Sequence, residues 1–267
     1  MSTPQSQKEL ALVPPAGNSE QPNKTGDGTA AIPSFISMMG TEMVDINVGK
    51  GKAKTHYRIY KTILCTKIPY FDKMFNSGFK ESAENKVDLP EDDPKSFDLL
   101  MLWTYNYPFP KYEWSTVMVD GVRTGGIWDA IEMYILAEKM CLTNLMDEVC
   151  SQYIDADILA NLLPGPTLLG TFHKRLSDHM AFRKYAAYSL HYVLHGLAKN
   201  PATVRLWPVE SLNPIMTAHP ALALEYLQLV QQHPINTPVL DPRKLPRCTF
   251  HQHAADAPCS FKFTTSA

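Results

Sequence analysis

Four residues near the carboxy end carry metal-ligand chemistry at close spacing. Cys248, His251, His253 and Cys259 form the pattern Cys-x-x-His-x-His-x5-Cys. Two thiolates and two imidazoles are a donor set that zinc accepts in a closed tetrahedron, which suits a structural ion rather than a catalytic one. If residues 249–254 are extended, His251 and His253 project to one face, because side chains alternate along a strand. The two thiolates could then close on the ion from either end. A tail this poor in apolar residues has little else to fold around, and metal binding supplies folding free energy. The spacing matches no standard zinc finger. The competing reading is an unstructured tail in which four ligand-type residues fall close together.

No constellation of comparable kind suggests catalysis. Gly125-Gly126 stands alone, and the run Val48-Gly49-Lys50-Gly51-Lys52 lacks the spacing and the Lys-Ser/Thr of a phosphate-binding loop. A Gly-x-Ser-x-Gly elbow is absent. His173, Asp178 and His179 lie in a polar helical stretch beside no nucleophile. The carboxylates of Glu91-Asp92-Asp93 are read as charge complementing the dipole of a helix that follows them. The expectation is a chain that is not an enzyme.

Composition narrows the classes further. The chain has 267 residues, 45% of them hydrophobic, and a formal net charge of −2. Such a near-neutral balance offers no global field to draw in nucleic acid or an anionic membrane. Apolar runs such as Leu99 to Trp103 are far too short to span a bilayer, so membrane insertion is not expected. The amino terminus shows neither a basic region nor an apolar core of a secretory signal. With five cysteines, an odd number, the expectation is a reduced, intracellular protein of cytoplasm or nucleus. Cys65, Cys141 and Cys150 fall among apolar helical positions and read as small buried hydrophobes.

The elements that must carry these residues begin at Met43. Val44, Ile46 and Val48 alternate with Asp45 and Asn47, the period of a half-buried strand. Gly49 and Gly51 supply a turn, and a second strand follows with Tyr57 and Ile59 inward. Two close-set amphipathic helices come next, around Ile63-Leu64 and Phe71-Met74-Phe75. A short strand with Val87 and Leu89 then leads into a helix carrying Phe97, Leu100, Met101 and Trp103. A hairpin, two helices, a strand and a helix must share one small core.

This order and its motifs resemble the BTB/POZ family. The residues that carry the likeness are Asp45, Leu64, Pro69-Tyr70-Phe71, Phe79-Lys80-Glu81-Ser82, Leu89-Pro90-Glu91-Asp92, the stretch Phe97 to Tyr105, and Leu136-Ala137-Glu138-Lys139. The chain departs from the pattern at Tyr60, where the family has His, and at Ile68, where it has Ser. The Thr-Gly after the Tyr is also missing. The likeness covers about residues 41–160 and is greatest to the single-BTB proteins of filamentous fungi. It implies an α+β fold, a small three-stranded mixed sheet flanked by a helical cluster, here with a helical C-terminal extension.

The organisation expected is a disordered tail at 1–31, a BTB/POZ domain at 32–160, a helical extension at 161–247 and a Cys/His tail at 248–267. The first segment is rich in Pro, Gly, Ser and Gln and cannot bury enough surface to offset its ordering entropy. An insertion at about 106–126 contains Tyr107, Phe109, Tyr112 and Trp114, with a two-residue hairpin expected at Asp120-Gly121 between Val117-Val119 and Val122-Thr124. A helical pair should run from Ile127 to Leu159, the second helix showing one apolar face at Leu142, Leu145, Met146, Val149, Cys150 and Tyr153. Beyond Pro164-Gly165-Pro166, helices are expected from Phe172 to Leu197, near Val204-Trp207, near Leu212-Met216, and from Pro220 to Gln232. The cations Lys174, Arg175, Arg183, Lys184 and Lys199 read as a solvated face rather than a nucleic-acid surface.

The family likeness implies protein partners and a homodimer. The apolar segment Ile32, Phe35, Ile36, Met38 and Met39 is either an edge cover or the dimer contact. In members that dock on a cullin scaffold as ubiquitin-ligase adaptors, an apolar-x-acid motif precedes a helix, and Ile127-Trp128-Asp129 fits it here, as does Met118-Val119-Asp120. A transcription regulator or a plain scaffold is the alternative.

Overall fold

A computed structural model describes residues 34–78, 80–115, 118–119, 122–123, 125–197, 205–234, 236–259 and 261. The elements below all lie within the compact unit Phe35–Ala267. The calls on residues 1–31, Ile32, Phe79, Val117, Asp120-Gly121, Thr124, Lys199 and Val204 fall outside the described residues.

A short helix, α1 (Phe35–Met39), precedes the sheet. Strands β1 (Met43–Val48) and β2 (Thr55–Tyr60) pair antiparallel from Met43↔Tyr60 to Val48↔Thr55. Their connection carries Gly49 at φ +81 and Gly51 at φ +56. Gly49 is doubly constrained, since a Cβ there would also sit 2.9 Å from Pro94 Cγ. Helices α2 (Lys61–Lys67), α3 (Pro69–Asn76) and α4 (Lys80–Glu84) then cross to β3 (Lys86–Leu89), which pairs parallel to β1 from Asp45↔Lys86 to Val48↔Leu89. The order β2-β1-β3 is the three-stranded mixed sheet expected. Val44, Ile46 and Val48 are fully buried, as their alternation required.

The two departures from the family pattern have a visible local result. Tyr60 precedes α2 and Ile68 precedes α3, and neither gives a side-chain cap to its helix. Ile68 instead joins the core beside Phe71 and Phe75. By contrast α5 (Pro94–Thr104) is capped by Asp93, whose carboxylate accepts from the Ser96 N–H at 2.9 Å, with Pro94 in its first turn. The acidic turn thus serves helix geometry, as read from its position.

In the insertion, β4 (Met118–Val119) and β5 (Val122–Arg123) pair as the expected hairpin. Helices α6 (Ala130–Lys139) and α7 (Thr143–Leu159) follow as the expected helical pair. Cys141 corrects one expectation. It lies between these helices at φ +60 and is exposed, whereas Cys150 is buried and Cys65 partly so. The chain reverses at Cys141 between the two helices, and its side chain there faces solvent.

Helix α8 (Pro166–Arg175) starts at the Pro-Gly-Pro expected to mark a boundary. The single helix expected from Phe172 to Leu197 is in fact two. α8 ends at Arg175, and α9 (Arg183–His191) continues as a wider π turn over Tyr192–Gly196. The turn between them buries Leu176, Met180 and Phe182, and one straight helix would have set Phe182 on a different face from the other two. α10 (Val209–Ala218) and α11 (Pro220–Gln232) complete the helices, with Pro220 opening α11 as expected. The buried cluster is continuous from Val44 to Phe250.

Arg183 holds the last part together. It is 4% exposed, its guanidinium meets Asp178 and lies 2.9 Å from Glu225 on α11, and it donates to the Leu176 carbonyl. Arg175 is similarly committed to Asp129 and Glu132. These two cations therefore serve the fold, and Arg183 is buried rather than on the solvated face expected. Breaking a buried pair leaves its partner uncompensated, with a cost reduced here because Asp178 and Glu225 touch solvent. Arg183→Met is expected to lower unfolding free energy by about 2 kcal/mol in urea titration.

Candidate interaction surface and Cys/His cluster

Two places could carry function, one at each end of the described chain. At the amino side, α1 has no buried residue. Phe35, Ile36 and Met38 are 65%, 67% and 53% exposed, and Met39 is half-buried. The helix ends close against α2. Gly40 ends it at φ +69, its N–H bonds the Ile36 carbonyl at 2.8 Å, and an added Cβ would strike Thr62 Oγ1 at 2.3 Å. Three large apolar side chains thus face solvent on α1.

Ile127, Trp128 and Asp129 stand just before α6. Ile127 is 58% exposed. Trp128 packs on Phe109 and Tyr112. Asp129 caps α6 through the Glu132 N–H and pairs with Arg175. The triad is therefore not a uniform surface, and its acid already has partners. Met118 and Val119 lie on β4.

The aromatic insert packs onto the domain. Tyr112 stacks on Tyr153 of α7, and Trp114 meets the same ring edge-on. The Trp114 indole donates to Asp157 at 2.8 Å, and the Tyr112 N–H donates to Gln152 at 2.7 Å.

At the carboxy side, Cys248, His251, His253 and Cys259 do converge. One ligand atom from each lies within 4.8 Å of the other three, so the group could hold a metal ion. The local conformation differs from the extended run expected. A 3₁₀ turn (Arg247–Thr249) precedes Phe250, and the His251 and His253 rings stand 5.5 Å apart. His251 Nε2 lies 2.8 Å from the Ser151 hydroxyl, while its Nδ1 lies 3.5 Å from Cys259 Sγ. The His253 Nδ1 lies 2.8 Å from the Ala254 carbonyl, and its Nε2 is buried without a hydrogen-bond partner. Burial, with His253 and Arg247 alongside, pulls His251 down to about 4, leaving a neutral ring at neutral pH.

The tail that carries these ligands runs along α7 in the opposite direction. Arg247 bonds Asp155 at 2.5 Å, the Cys150 thiol reaches the Phe250 carbonyl at 3.4 Å, His251 meets Ser151, and the Gln252 N–H meets Asp147 at 2.5 Å. Phe250 is fully buried against Tyr185 and Tyr188 of α9. Gln252 also accepts from the Ala181 N–H and the Tyr134 hydroxyl.

Sequence reading found the four ligands but missed what seats them. Asp147, Ser151 and Asp157 lie on α7 beside its apolar face, and all are buried. That polar stripe was the available signal, and polar residues on a helix normally read as solvent-facing.

Among known protein families, the model of the BTB/POZ domain matches residues 37–119. This span runs from within α1 through the sheet and α5 to β4.

Proposed function

Because this chain carries a BTB/POZ domain, we propose that it is a non-enzymatic protein-interaction module that pairs with a second copy of itself through α1. The supporting observation is a helix that presents Phe35, Ile36 and Met38 to solvent and has no fully buried residue. Burying such side chains contributes about 1.5–3 kcal/mol each. Three from each copy give on the order of 10 kcal/mol, against an association cost of about 4–15 kcal/mol. Pairing through α1 therefore needs adjoining surface, and Ile32 precedes it in the chain. Light scattering on the purified chain should give twice the chain mass, and Phe35→Asp with Ile36→Asp should give the single mass with an unchanged far-ultraviolet circular dichroism spectrum. A natural chain that stays monomeric at tens of micromolar would defeat the reading.

Family resemblance extends this to an adaptor that docks on a cullin scaffold in cytoplasm or nucleus. Ile127 is the exposed apolar member of the apolar-x-acid triad, and it is the residue on which such docking would rest. Co-precipitation with a cullin, lost in Ile127→Asp, supports the adaptor. Salt-sensitive retention on DNA supports a transcription regulator instead, and the absence of both leaves a plain scaffold.

A further inference from the structure

We infer that Cys248, His251, His253 and Cys259 bind one structural zinc ion, which closes the tail into a loop held against Ser151 of α7. The inference is independent of self-pairing, because no ligand lies on α1. Three observations on different atoms support it.

The donors already converge. A zinc ion with bonds of about 2.0–2.3 Å sets its tetrahedral ligand atoms about 3.3–3.8 Å apart. The four atoms here lie within 4.8 Å of one another, so a small contraction closes the shell. The 3.5 Å between Cys259 Sγ and His251 Nδ1 is already at that spacing.

Each imidazole also offers a different nitrogen, and each is oriented by its other one. Ser151 stands at His251 Nε2, which leaves Nδ1 toward Cys259. The Ala254 carbonyl must accept from a protonated His253 Nδ1, which leaves the Nε2 lone pair as the ligand. Bonds of this kind from the second nitrogen are how metal-bound histidines are fixed in tautomer and direction.

Finally, His253 Nε2 is buried and has no hydrogen-bond partner. Such an acceptor is costly to leave unmade, and a metal ion satisfies it. On binding, the ion displaces one proton from each thiol. Two thiolates and two neutral imidazoles then balance its two positive charges, so the half-buried site carries no net charge.

The ion would do for the tail what apolar residues cannot. Between Phe250 and Phe261 the chain has no large apolar side chain, yet it is the segment that covers Asp147 and Ser151.

Elemental analysis and native mass spectrometry of the untagged full chain test this. One zinc per chain is expected, absent in Cys248→Ser with Cys259→Ser. Cobalt(II) added to the chelator-treated chain should give the visible and thiolate charge-transfer bands of a tetrahedral two-sulfur site. Ser151→Ala leaves all four ligands in place and should weaken zinc binding about 10–100-fold. If the chelator-treated chain keeps its fold by circular dichroism but takes up neither ion at stoichiometry, the inference falls. It falls equally if the intact chain carries a Cys248–Cys259 disulfide, seen as a mass lower by two hydrogens.

Discussion

At pH 6 the Asp157→Ala chain is expected to unfold with about 3 kcal/mol less free energy than the natural sequence, while Asp157→Asn stays within about 1 kcal/mol of it. The buried carboxyl on α7 accepts from Trp114 Nε1 and from the Tyr185 hydroxyl, each at 2.8 Å. It thereby joins the aromatic insert, α7 and α9 at one point. Alanine strands two buried donors, each costing about 1–3 kcal/mol, whereas asparagine keeps an acceptor.

The same residue sets a pH dependence. Burial pushes Asp157 up from its ordinary 3.8 to about 7, against the opposing pull of Tyr185, Trp114 and Arg243, while Asp241 adds to the rise. The folded chain therefore holds the proton more tightly than the unfolded chain. Stability is greatest below about pH 4 as far as this group is concerned, and falls as pH rises to 7. The full difference is on the order of 4 kcal/mol.

His191 works the other way. Burial, then His195 and His233, draw it down to about 4, so its contribution is lost as pH falls from 6.5 toward 4. Subtracting the Asp157→Asn curve from the natural one isolates the carboxyl. Urea titrations between pH 5 and 8 should show the asparagine chain gaining on the natural one as pH rises, becoming the more stable at pH 8. Parallel curves would remove Asp157 as the cause.

Phe250→Ala is expected to cost about 3–5 kcal/mol, the range for deleting a fully buried aromatic ring. The ring fills the space between Tyr185 and Tyr188, with centroids at 5.3 and 5.4 Å, and its residue's carbonyl meets Cys150 on α7. If the tail is integral, the whole urea transition shifts and remains single. If it merely leans on the surface, protease releases residues beyond Phe250 while the midpoint stays put, and that result would refute the packing role. All four Cys/His ligands remain in this variant, so its outcome is separate from metal content.

Several features were legible because they are local. The alternation Val44, Ile46, Val48 has only one burial solution, and Gly49 and Gly51 take positive φ in the connection that follows. Asp93-Pro94 marks a helix start by chemistry that acts within one turn. The spacing of Cys248, His251, His253 and Cys259 named a donor set before any coordinates. What failed was reading burial from polarity. Cys141 looked like core and is exposed, and the run Phe172 to Leu197 looked like one helix because its periodicity does not record the turn that buries Leu176, Met180 and Phe182.

Taken alone, then, the sequence determined a hairpin-led α+β domain with a BTB/POZ pattern, the helices on either side of Cys141, and four ligands grouped near the end. Tertiary structure decided where those ligands sit and what they clasp. Asp147, Ser151 and Asp157 are polar and helical, so by local rules they face water. They are buried because Trp114, Phe250 and Gln252, distant in the chain, bring hydrogen bonds and aromatic surface to that side of α7. A residue's desolvation cost depends on the partner that covers it, and periodicity within one helix cannot report a partner about a hundred residues away.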